Sequence, residues 1–480
     1  MTHSALDGPD GSGGTRVAWA ALGGDPALLD RVSTVVREGA LPARLPVIEL
    51  ARACVGACAV AAAELAAHRT RRPAPKVRVD DGAVATAFVS ERHLLVDGRA
   101  PVNFAPLSRF WPTADGWVRT HANYPHHRAR LLAALGLVED DASVERMAAA
   151  LAERRSTDVE DAVYAAGGLA VALRTPEEWA AHPQGAAVAG QPLLRREPIG
   201  KPGVSAGPRR LPELSGDPLL PAAGLRVLDL TRVIAGPVGT RTLALLGADV
   251  LRVDPPQLPE LPDQHADTGF GKRSTTLDLT RQTDRRTFED LLAEADVVVT
   301  GYRPGALDRL GLTPEALAAR RPGIVVAQVS AWGDYGSWGE RRGFDSLVQV
   351  ATGIAALEGS AERPGALPAQ ALDHGTGYLL AAAVLRSVTE QLDGGGATSV
   401  RLALTQTAQW LVHRLAGEAG QRTAAEAAAY DPENPAPWLA VTESPLGRLR
   451  HALPPVSFSG GPNNWAQAPG RWGEDAPKWS

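Results

Sequence analysis

Two polar residues stand at the start of a long apolar segment in the last quarter of the chain. Residues 371–385 read ALDHGTGYLLAAAVL, with Asp373 and His374 ahead of Gly375 and Gly377 and an apolar run after them. The run predicts a buried helix. An acid in its first turn either caps the helix or does chemistry as a nucleophile or proton carrier. The local pattern leaves both open, and His374 either orients the carboxylate or faces solvent.

Two loops further upstream carry features suited to an anion. Residues 231–240, TRVIAGPVGT, put glycines between a predicted strand and a predicted helix, where backbone N–H groups and the helix start favour phosphate. The spacing is not that of a dinucleotide-binding GxGxxG loop. Lys272 and Arg273 stand together before a predicted strand, either as a phosphate site or as a solvated surface pair.

A third loop combines an aromatic residue with cations. Residues 301–312, GYRPGALDRLGL, contain Tyr302, which could stack on a base, and Arg303 and Arg309, which could approach phosphates. Each loop is suited to a phosphate-bearing ligand, and a tight turn between strand and helix is the alternative for residues 231–240.

The elements that must position these residues alternate between strand and helix. Predicted strands are LRVLDLT, DVLRVD, DVVVTG and IVVAQVSAW, and the predicted helices between them are AGPVGTRTLALLGA, TDRRTFEDLLAEA and TPEALAARRP. This alternation predicts an α/β fold with a doubly wound parallel sheet. Ligands of such sheets bind at the carboxyl ends of the strands, so the informative loops follow Leu230, Val253, Thr300 and Ser330.

A Pro- and Gly-rich stretch divides the chain. The predicted organisation is a flexible tail (1–16), a smaller α/β unit (17–200), a linker (201–223) and the large α/β domain (224–480).

An internal repeat connects the two units. The paired segments are 52–66 with 373–387 and 77–89 with 400–412. This register places Arg52 opposite Asp373 and Gly56 opposite Gly377. Arginine is a poor helix cap, so the pairing favours a chemical role for Asp373 over a capping role.

Composition excludes several classes of protein. The net charge of the 480 residues is −5 and no run of five like charges occurs, which argues against nucleic-acid and membrane partners. The apolar run ACVGACAVAAAELAA is shorter than the ~20 residues of a membrane span. The N-terminus lacks the features of a signal peptide, and only Cys54 and Cys58 occur, so we expect a soluble cytoplasmic protein. Neither the cysteines nor the histidines at 121, 126 and 127 have the spacing of a metal site.

The segments from residue 221 onward resemble, in content and order, the family III CoA-transferases. These segments are GLRVLDLTRVIAGPVGTRTLALLGADVLRVDPP, GFGKRSTTLDL, DVVVTGYRPGALDRLGL, VSAWGDYGSWGERRGFDSLVQVATGI and ALDHGTGYLLAAAVL. The family includes formyl-CoA and carnitine-CoA transferases and α-methylacyl-CoA racemases. The resemblance implies a Rossmann-like large domain and a homodimer. FWPTADGWVRTHANYPHHRARLLAALGL resembles the family's small domain, which here precedes the large domain instead of following the catalytic helix.

The resemblance also implies a mechanism. Asp373 matches the catalytic aspartate, which attacks an acyl-CoA thioester and passes through a mixed anhydride to an aspartyl-CoA thioester. Backbone N–H groups beside Gly375 and Gly377 would stabilise the oxyanions. Coenzyme A, as substrate, would be held by Val233, Ile234, Ala235, Pro255, Lys272, Arg273, Gly301, Tyr302, Arg303 and Arg309, and no metal is implied.

Departures from the family pattern leave alternatives open. The racemases have a His-Asp pair where this chain has Phe344-Asp345, which removes one of two acid–base groups. The sequence therefore favours CoA transfer between an acyl-CoA and a carboxylic acid. A racemase-like enzyme, a non-catalytic CoA-binding subunit and, more distantly, a nucleotide-dependent dehydrogenase remain as alternatives.

Overall fold

Helices and strands account for most of the chain in the computed structural model, which describes residues 13–138, 143–200, 209–360, 362–415 and 428–480. Up to residue 200 the helices are α1 (Gly13–Ala21), α2 (Val47–Thr70), α3 (Asp81–Ala87), α4 (Ser90–His93), α5 (Pro125–Leu135), α6 (Val144–Ala152), α7 (Ser156–Ala165), α8 (Pro176–Ala181) and α9 (Pro183–Ala189). The strands of this part are β1 (Val32–Val35), β2 (Val77–Asp80), β3 (Leu95–Val96), β4 (Phe110–Thr113), β5 (Gly116–Thr120), β6 (Ala170–Ala172) and β7 (Leu194–Pro198).

The remainder alternates strand and helix, as the apolar runs predict. Its strands are β8 (Arg226–Leu230), β9 (Asp249–Asp254), β10 (Lys272–Thr276), β11 (Val297–Thr300), β12 (Val325–Ser330), β13 (Thr398–Ala403), β14 (Leu439–Ser444) and β15 (Gly447–Ala452). Its helices are α10 (Ala235–Leu245), α11 (Pro262–Thr268), α12 (Gln282–Glu294), α13 (Pro314–Arg320), α14 (Asp345–Ala351), α15 (Ile354–Leu357), α16 (Ala371–Leu392) and α17 (Leu404–Trp410).

One seven-stranded sheet organises the C-terminal half. Its strand order is β10-β9-β8-β11-β12-β13-β7, and all neighbours are parallel except the edge strand β7. The apolar strands are buried on both faces, which is why they read as continuous runs in the sequence. The predicted mixed α/β fold with a parallel sheet is confirmed.

The predicted boundaries differ from the structure in two places. Helix α1 begins at Gly13, inside the predicted tail, and residues 1–12 lie outside the described residues. Strand β7 lies in the predicted N-terminal unit but pairs with β13, so both units build the large sheet. Of the predicted linker, residues 201–208 lie outside the described residues, and 209–223 contain no helix or strand.

The structure contains the internal repeat but corrects its register. The residues before α2 and α16, Pro46 and Gln370, have the same backbone conformation, with φ −76° and ψ 62°. Aligning the helix starts puts Glu49, not Arg52, opposite Asp373. Arg52 lies one turn further on and donates two hydrogen bonds, of 2.9 and 2.8 Å, to buried Asp81.

Packing around the two helices supports this register. In the first copy, a Cβ placed on Gly14 of α1 would lie 3.0 Å from the Cβ of Ala53 on α2. In the second copy, a Cβ placed on Gly239 of α10 would lie 2.9 Å from the carbonyl oxygen of Gly377 on α16. Ala53 and Gly377 are each the seventh residue of their helix. The strand part of the repeat is confirmed, since β2 leads directly into α3 as β13 leads into α17.

Helix α2 is the one helix in the described ranges that is long and apolar enough to cross a membrane. Of its most apolar stretch, 94% is buried within the fold. It packs along α16 and against α1, and Cys54 and Cys58 lie in this interior. The core of the protein therefore accounts for its apolar sequence.

Candidate active site

A cavity of about 810 Å³ opens at the carboxyl ends of the large sheet. Strands β8, β9, β11 and β12 deliver Leu230, Val253, Gly301 and Ser330 to its wall. Helix α5 of the N-terminal half covers the opposite side. The loops that the strand–helix alternation singled out thus meet at one place.

Asp373 lies in the first turn of α16 and faces this cavity. Its side chain is 6% exposed. The described part of the chain offers no hydrogen-bond donor to its carboxylate, and the position that would cap α16 is occupied by Gln370. A cap accepts N–H groups of its own helix, so Asp373 is not a cap.

A second carboxyl group, Asp345, lies directly behind Asp373. Asp345 is fully buried at the start of α14, and its Oδ2 accepts the backbone N–H of Asp373 at 2.9 Å. Gln349 of the same helix donates to the other oxygen, and its own Oε1 accepts the N–H of Leu367 at 2.9 Å. These bonds fix the Asp345 carboxylate against the start of α16.

The two carboxyl groups oppose each other's ionisation. Burial raises the pKa of Asp345 to about 6. Burial, followed by the neighbouring Asp345 and Glu91 carboxylates, raises the pKa of Asp373 well above its usual range. Pairs of neighbouring buried carboxyl groups with different pKa values are typical of catalytic sites.

Several arginines line the same cavity. Arg303 and Arg309 line it, as predicted, and α5 and the loop before α14 add Arg130 and Arg342, which the sequence reasoning did not identify. None of the four forms an ion pair with a carboxylate of the described residues; Arg303 is partly buried and the other three are exposed. Burial, Arg303 and Arg130 together lower the pKa of Arg342, so these cations crowd one another. Such a cluster suits a polyanion.

The loop between β8 and α10 is held in a strained conformation beside the cavity. Val233 has φ 71°, a left-handed value that is costly for a β-branched residue. Its N–H donates to Glu260 at 3.0 Å, and Glu260 also accepts from Tyr124 at 2.6 Å and from Arg252 at 2.9 Å. Burial raises the pKa of Glu260, but Arg252 and Arg232 outweigh it and lower the value to about 2.

Most of the predicted CoA-contacting residues reach the cavity. Those lining it are Val233, Ala235, Pro255, Gly301, Tyr302, Arg303 and Arg309. Ile234 is buried outside the lining.

Lys272 and Arg273 are not brought to the cavity. Both lie within β10 instead of in a loop before it. The Lys272 ammonium is buried, 3.0 Å from Asp229 and 3.0 Å from the carbonyl oxygen of Pro237, and burial lowers its pKa to about 8. Arg273 donates to Asp249 at 2.7 Å at the edge of the sheet. Neither cation is available to a ligand in the cavity.

Gly375 and Gly377 pack helices together and do not line the cavity. A Cβ on Gly377 would lie 2.5 Å from the carbonyl oxygen of Ala235, so only glycine permits α10 to approach α16 this closely. A Cβ on Gly375 would meet Cys54 of α2 at 3.3 Å. The predicted oxyanion role of the N–H groups beside them has no support in this geometry, because these residues continue a regular helix.

An aromatic cluster around Phe344 forms the wall beside Asp373. His121 stacks on Phe344 with ring centroids 3.7 Å apart, and His127 meets the same ring edge-on at 5.9 Å. Burial lowers the pKa of His121 to about 3 and that of His127 to about 2, so both are neutral. His127 and His126 line the cavity. The described residues contain no group of three or more His, Cys, Asp or Glu side chains arranged to hold a metal.

The fold and the site together define an α/β protein whose arginine-rich cavity is lined by a buried carboxyl group. Residues 222–441 match the model of CoA-transferase family III. This segment, a little under half of the chain, is similar to the members of that family.

Named relatives and one solved structure are similar over parts of the chain. It is 36% identical over 208 residues to the acetyl-coenzyme A transferase nodX of Hypoxylon pulicicidum, covering 42% of this chain and 35% of that protein. It is 34% identical over 211 residues to the probable fatty acyl-CoA transferase Rv3272 of Mycobacterium tuberculosis, covering 40% of this chain and 53% of that protein. The crystal structure of Rv3272 covers 40% of this chain and 56% of its own, with 32% identity and a TM-score of 0.38. The chain thus spans 35% and 53% of the length of these two curated relatives.

Proposed function

We propose that the protein transfers coenzyme A from an acyl-CoA to a carboxylic acid through a covalent intermediate on Asp373. One observation carries the proposal: the Asp373 carboxyl group faces the same cavity as four arginines that have no carboxylate partner among the described residues. Coenzyme A carries phosphates, which the arginines can bind, and a thiol, whose acyl thioester the carboxyl group can attack. Relatives named as CoA-transferases support it.

The reaction proceeds by four acyl transfers. A carboxylate oxygen of Asp373 attacks the thioester carbon, the C–S bond breaks, and a mixed anhydride and a CoA thiolate form. The thiolate attacks the aspartyl carbon of the anhydride, which releases the first carboxylate and leaves an aspartyl-CoA thioester. The acceptor carboxylate attacks the aspartyl carbon of this thioester, the C–S bond breaks, and a second mixed anhydride and the CoA thiolate form. The thiolate then attacks its acyl carbon, giving the new acyl-CoA and regenerating Asp373.

The neighbouring groups serve this chemistry in different ways. Asp345 anchors the backbone of Asp373 and raises the pKa of its carboxyl group, which makes the ionised form a stronger nucleophile. The strained Val233 loop and Gly301 bring backbone close to the cavity, where a narrow pantetheine arm can pass.

Intact-mass measurement after incubation with acyl-CoA tests the proposal. A covalent adduct should form on the wild-type protein and map to Asp373, and it should be absent from Asp373→Asn. Glu49→Gln, at the equivalent position of the other helix copy, is the matched control and should leave the adduct unchanged. Full transferase activity in Asp373→Asn would contradict the mechanism.

A racemase-like reaction is the second candidate, and one observation favours it. The neutral His127 ring lines the cavity with its Nδ1 buried and unbonded, so it could accept an α-proton while protonated Asp373 returns one. Incubation of a 2-methylacyl-CoA in deuterated water separates the two reactions. Deuterium at the α-carbon without CoA transfer to a second acid would support the racemase.

The wider organisation is also proposed. When the six parallel strands β8 to β13 are numbered 1 to 6 along the chain, their order in the sheet is 3-2-1-4-5-6. This order supports a Rossmann-like large domain preceded by the smaller α/β unit. A homodimer and a cytoplasmic location remain proposals, and light scattering of the purified protein tests the first.

A further inference from the structure

Apolar residues from three parts of the fold line the cavity together with Asp373. This apolar wall consists of Val329 and Ala331 at the end of β12, Phe344 before α14 and Leu404 at the start of α17. Phe344 directly precedes Asp345, whose carboxylate accepts the backbone N–H of Asp373 at 2.9 Å. That bond brings the start of α14 to the start of α16.

Helices α16 and α17 also begin side by side. The hydroxyl oxygens of Thr376 on α16 and Thr407 on α17 are 2.7 Å apart. Asp373 and Leu404 each stand three residues before one of these threonines, and both line the cavity. The carbonyl oxygen of Ala331 accepts a backbone N–H from the first turn of α17 at 3.0 Å. The apolar wall therefore adjoins the carboxyl group that the proposed reaction acylates.

The arginines of the cavity are not placed to neutralise a charge beside Asp373. Burial and the carboxylates of Asp345 and Glu91 raise the pKa of Asp373, and no arginine of the described residues offsets them. Conversely, burial and neighbouring arginines lower the pKa of Arg342, and neither acid of the site raises it. An additional anion beside Asp373 would therefore meet like charges and no cation.

The other basic side chains of this region do not change that balance. Arg119 on β5 interacts with the Asp345 charge, but it packs over two phenylalanine rings, 4.8 and 5.2 Å from their centroids, and does not line the cavity. Burial lowers the pKa of His127 to about 2, so this lining ring is neutral. His374 is 0% exposed and lies outside the cavity wall, so it neither faces solvent nor reaches a substrate.

We infer that the apolar wall is the acyl site of the proposed transferase, and that it accepts acyl groups with an uncharged, apolar remainder and rejects those of short dicarboxylic acids. The inference rests on the proposed function. The second carboxylate of a malonyl or succinyl group lies only a few bonds from the thioester carbon, so it would be held beside Asp373 without a partner. The departing and the entering acid occupy this site in turn, so the restriction applies to both. The reaction then exchanges CoA between two monocarboxylic acids.

Thioesters matched in shape but not in charge test this inference on the wild-type protein. The neutral 3-methylbutanoyl-CoA matches malonyl-CoA, and 4-methylpentanoyl-CoA matches succinyl-CoA, with an isopropyl group in place of the carboxylate. Each is incubated with its own isotope-labelled acid, and mass spectrometry follows the label into the thioester. Exchange should be roughly a hundredfold or more faster, in kcat/KM, for the neutral member of each pair. Equal exchange, or faster exchange of the charged members, would overturn the inference and leave the transferase reaction standing. Absence of both exchange and an Asp373 adduct with all four thioesters would contradict the proposed function itself, and the inference with it.

Variants of one wall residue separate charge from size. Ala331 is partly exposed, and Ala331→Lys brings an ammonium group to the apolar wall, so the preference for the neutral thioesters should shrink roughly tenfold or more. Ala331→Met adds similar length without charge and should keep the preference within about twofold. Leu357→Lys, at an exposed position of α15 outside the cavity, controls for the added charge. An unchanged preference in Ala331→Lys, or an equal loss in Ala331→Met or Leu357→Lys, would overturn the inference.

Discussion

The backbone N–H of Asp373 donates a 2.9 Å hydrogen bond to the carboxylate of Asp345. Asp345 thereby holds Asp373 at the start of a buried helix, and Asp373 faces the cavity. The arrangement fixes the direction of Asp373 and at the same time makes its charge costly.

Asp345→Asn should move the acidic limb of kcat to lower pH. Transfer requires ionised Asp373, so the rate falls as pH drops through its pKa. Removing the like charge of Asp345 lowers that pKa, by roughly one unit, while the amide oxygen still accepts the N–H of Asp373. Profiles between pH 5 and 9 measure the shift, and Asp158→Asn, on the exposed side of α7, is the control. A limb that stays in place or moves upward would contradict this.

Asp373→Asn should stabilise the protein at alkaline pH. The pKa of Asp373 is raised in the folded protein. The stability that its carboxyl group contributes is therefore fully present below the pKa of the unfolded chain, and it is lost as the pH rises through the pKa of the folded protein. The uncharged amide avoids that loss, giving a gain at pH 8 of about 1.4 kcal/mol for each unit of pKa difference. Urea unfolding at pH 8 and pH 4 measures it. The gain should vanish at pH 4, and an equal gain at both values would refute the electrostatic explanation.

Arg303→Gln and Arg309→Gln should each raise the KM for acyl-CoA. Each loses a charge-assisted hydrogen bond to a phosphate, which corresponds to roughly tenfold or more in KM, with kcat nearly unchanged. Arg320→Gln on α13 is the matched control, because Arg320 already pairs with Glu289. Steady-state kinetics at two ionic strengths measures the KM of the wild type and of both variants. Added salt should raise the KM of the wild type more than that of the variants. Equal effects in the control would contradict a specific phosphate site.

Lys272→Met should weaken the fold and not CoA binding. The substitution leaves buried Asp229 without its cation, which costs about 3–5 kcal/mol. Adding Asp229→Asn should recover part of this loss, because the unpaired charge is then removed. Chemical denaturation measures the stability, and titration of the folded protein with CoA measures affinity. A selective loss of affinity with full stability would show that Lys272 reaches the ligand after all.

Gly377→Ala and Gly375→Ala should differ sharply. A methyl group at 377 would lie 2.5 Å from the backbone of Ala235, whereas at 375 it would meet the Cys54 sulfur at 3.3 Å. The first substitution must push α10 and the cavity loop away and should lower both the melting temperature and kcat. The second requires a shift of a few tenths of an ångström in one side chain, and helical propensity favours alanine. Thermal melts and kinetics of the pair decide, and equal effects would argue against the close approach.

Sequence patterns predicted the sheet and the position of the cavity, but not all of its residues. Strands such as β8 and β12 are buried on both faces, so their apolar runs identify them directly. Spacing alone leaves Lys272 either at a ligand site or in a surface pair, and the family resemblance implies a CoA contact. Neither indicates its partner Asp229, which lies 43 residues away. Arg130 and Tyr124 line the cavity from the other half of the chain, and only the tertiary fold brings them there.

The repeat illustrates a different limit. An alanine-rich helix matches itself almost as well after a shift of about one turn, so composition could not distinguish Arg52 from Glu49 as the counterpart of Asp373. The backbone conformation before each helix made the distinction.

The duplicated helix has an evolutionary consequence. Helix α16 must present the proposed nucleophile Asp373 to the cavity and keep Gly377 where α10 approaches, so few of its early positions should tolerate change. Helix α2, its equivalent, lines none of the cavity around Asp373. Apart from the buried ion pairs of Arg52 with Asp81 and of Glu64 with Arg386, packing is its main constraint. Its run of alanines with two buried cysteines is the composition expected under that constraint. A laboratory library over α2 should accordingly accept many small apolar sequences, whereas the same library over the first two turns of α16 should not.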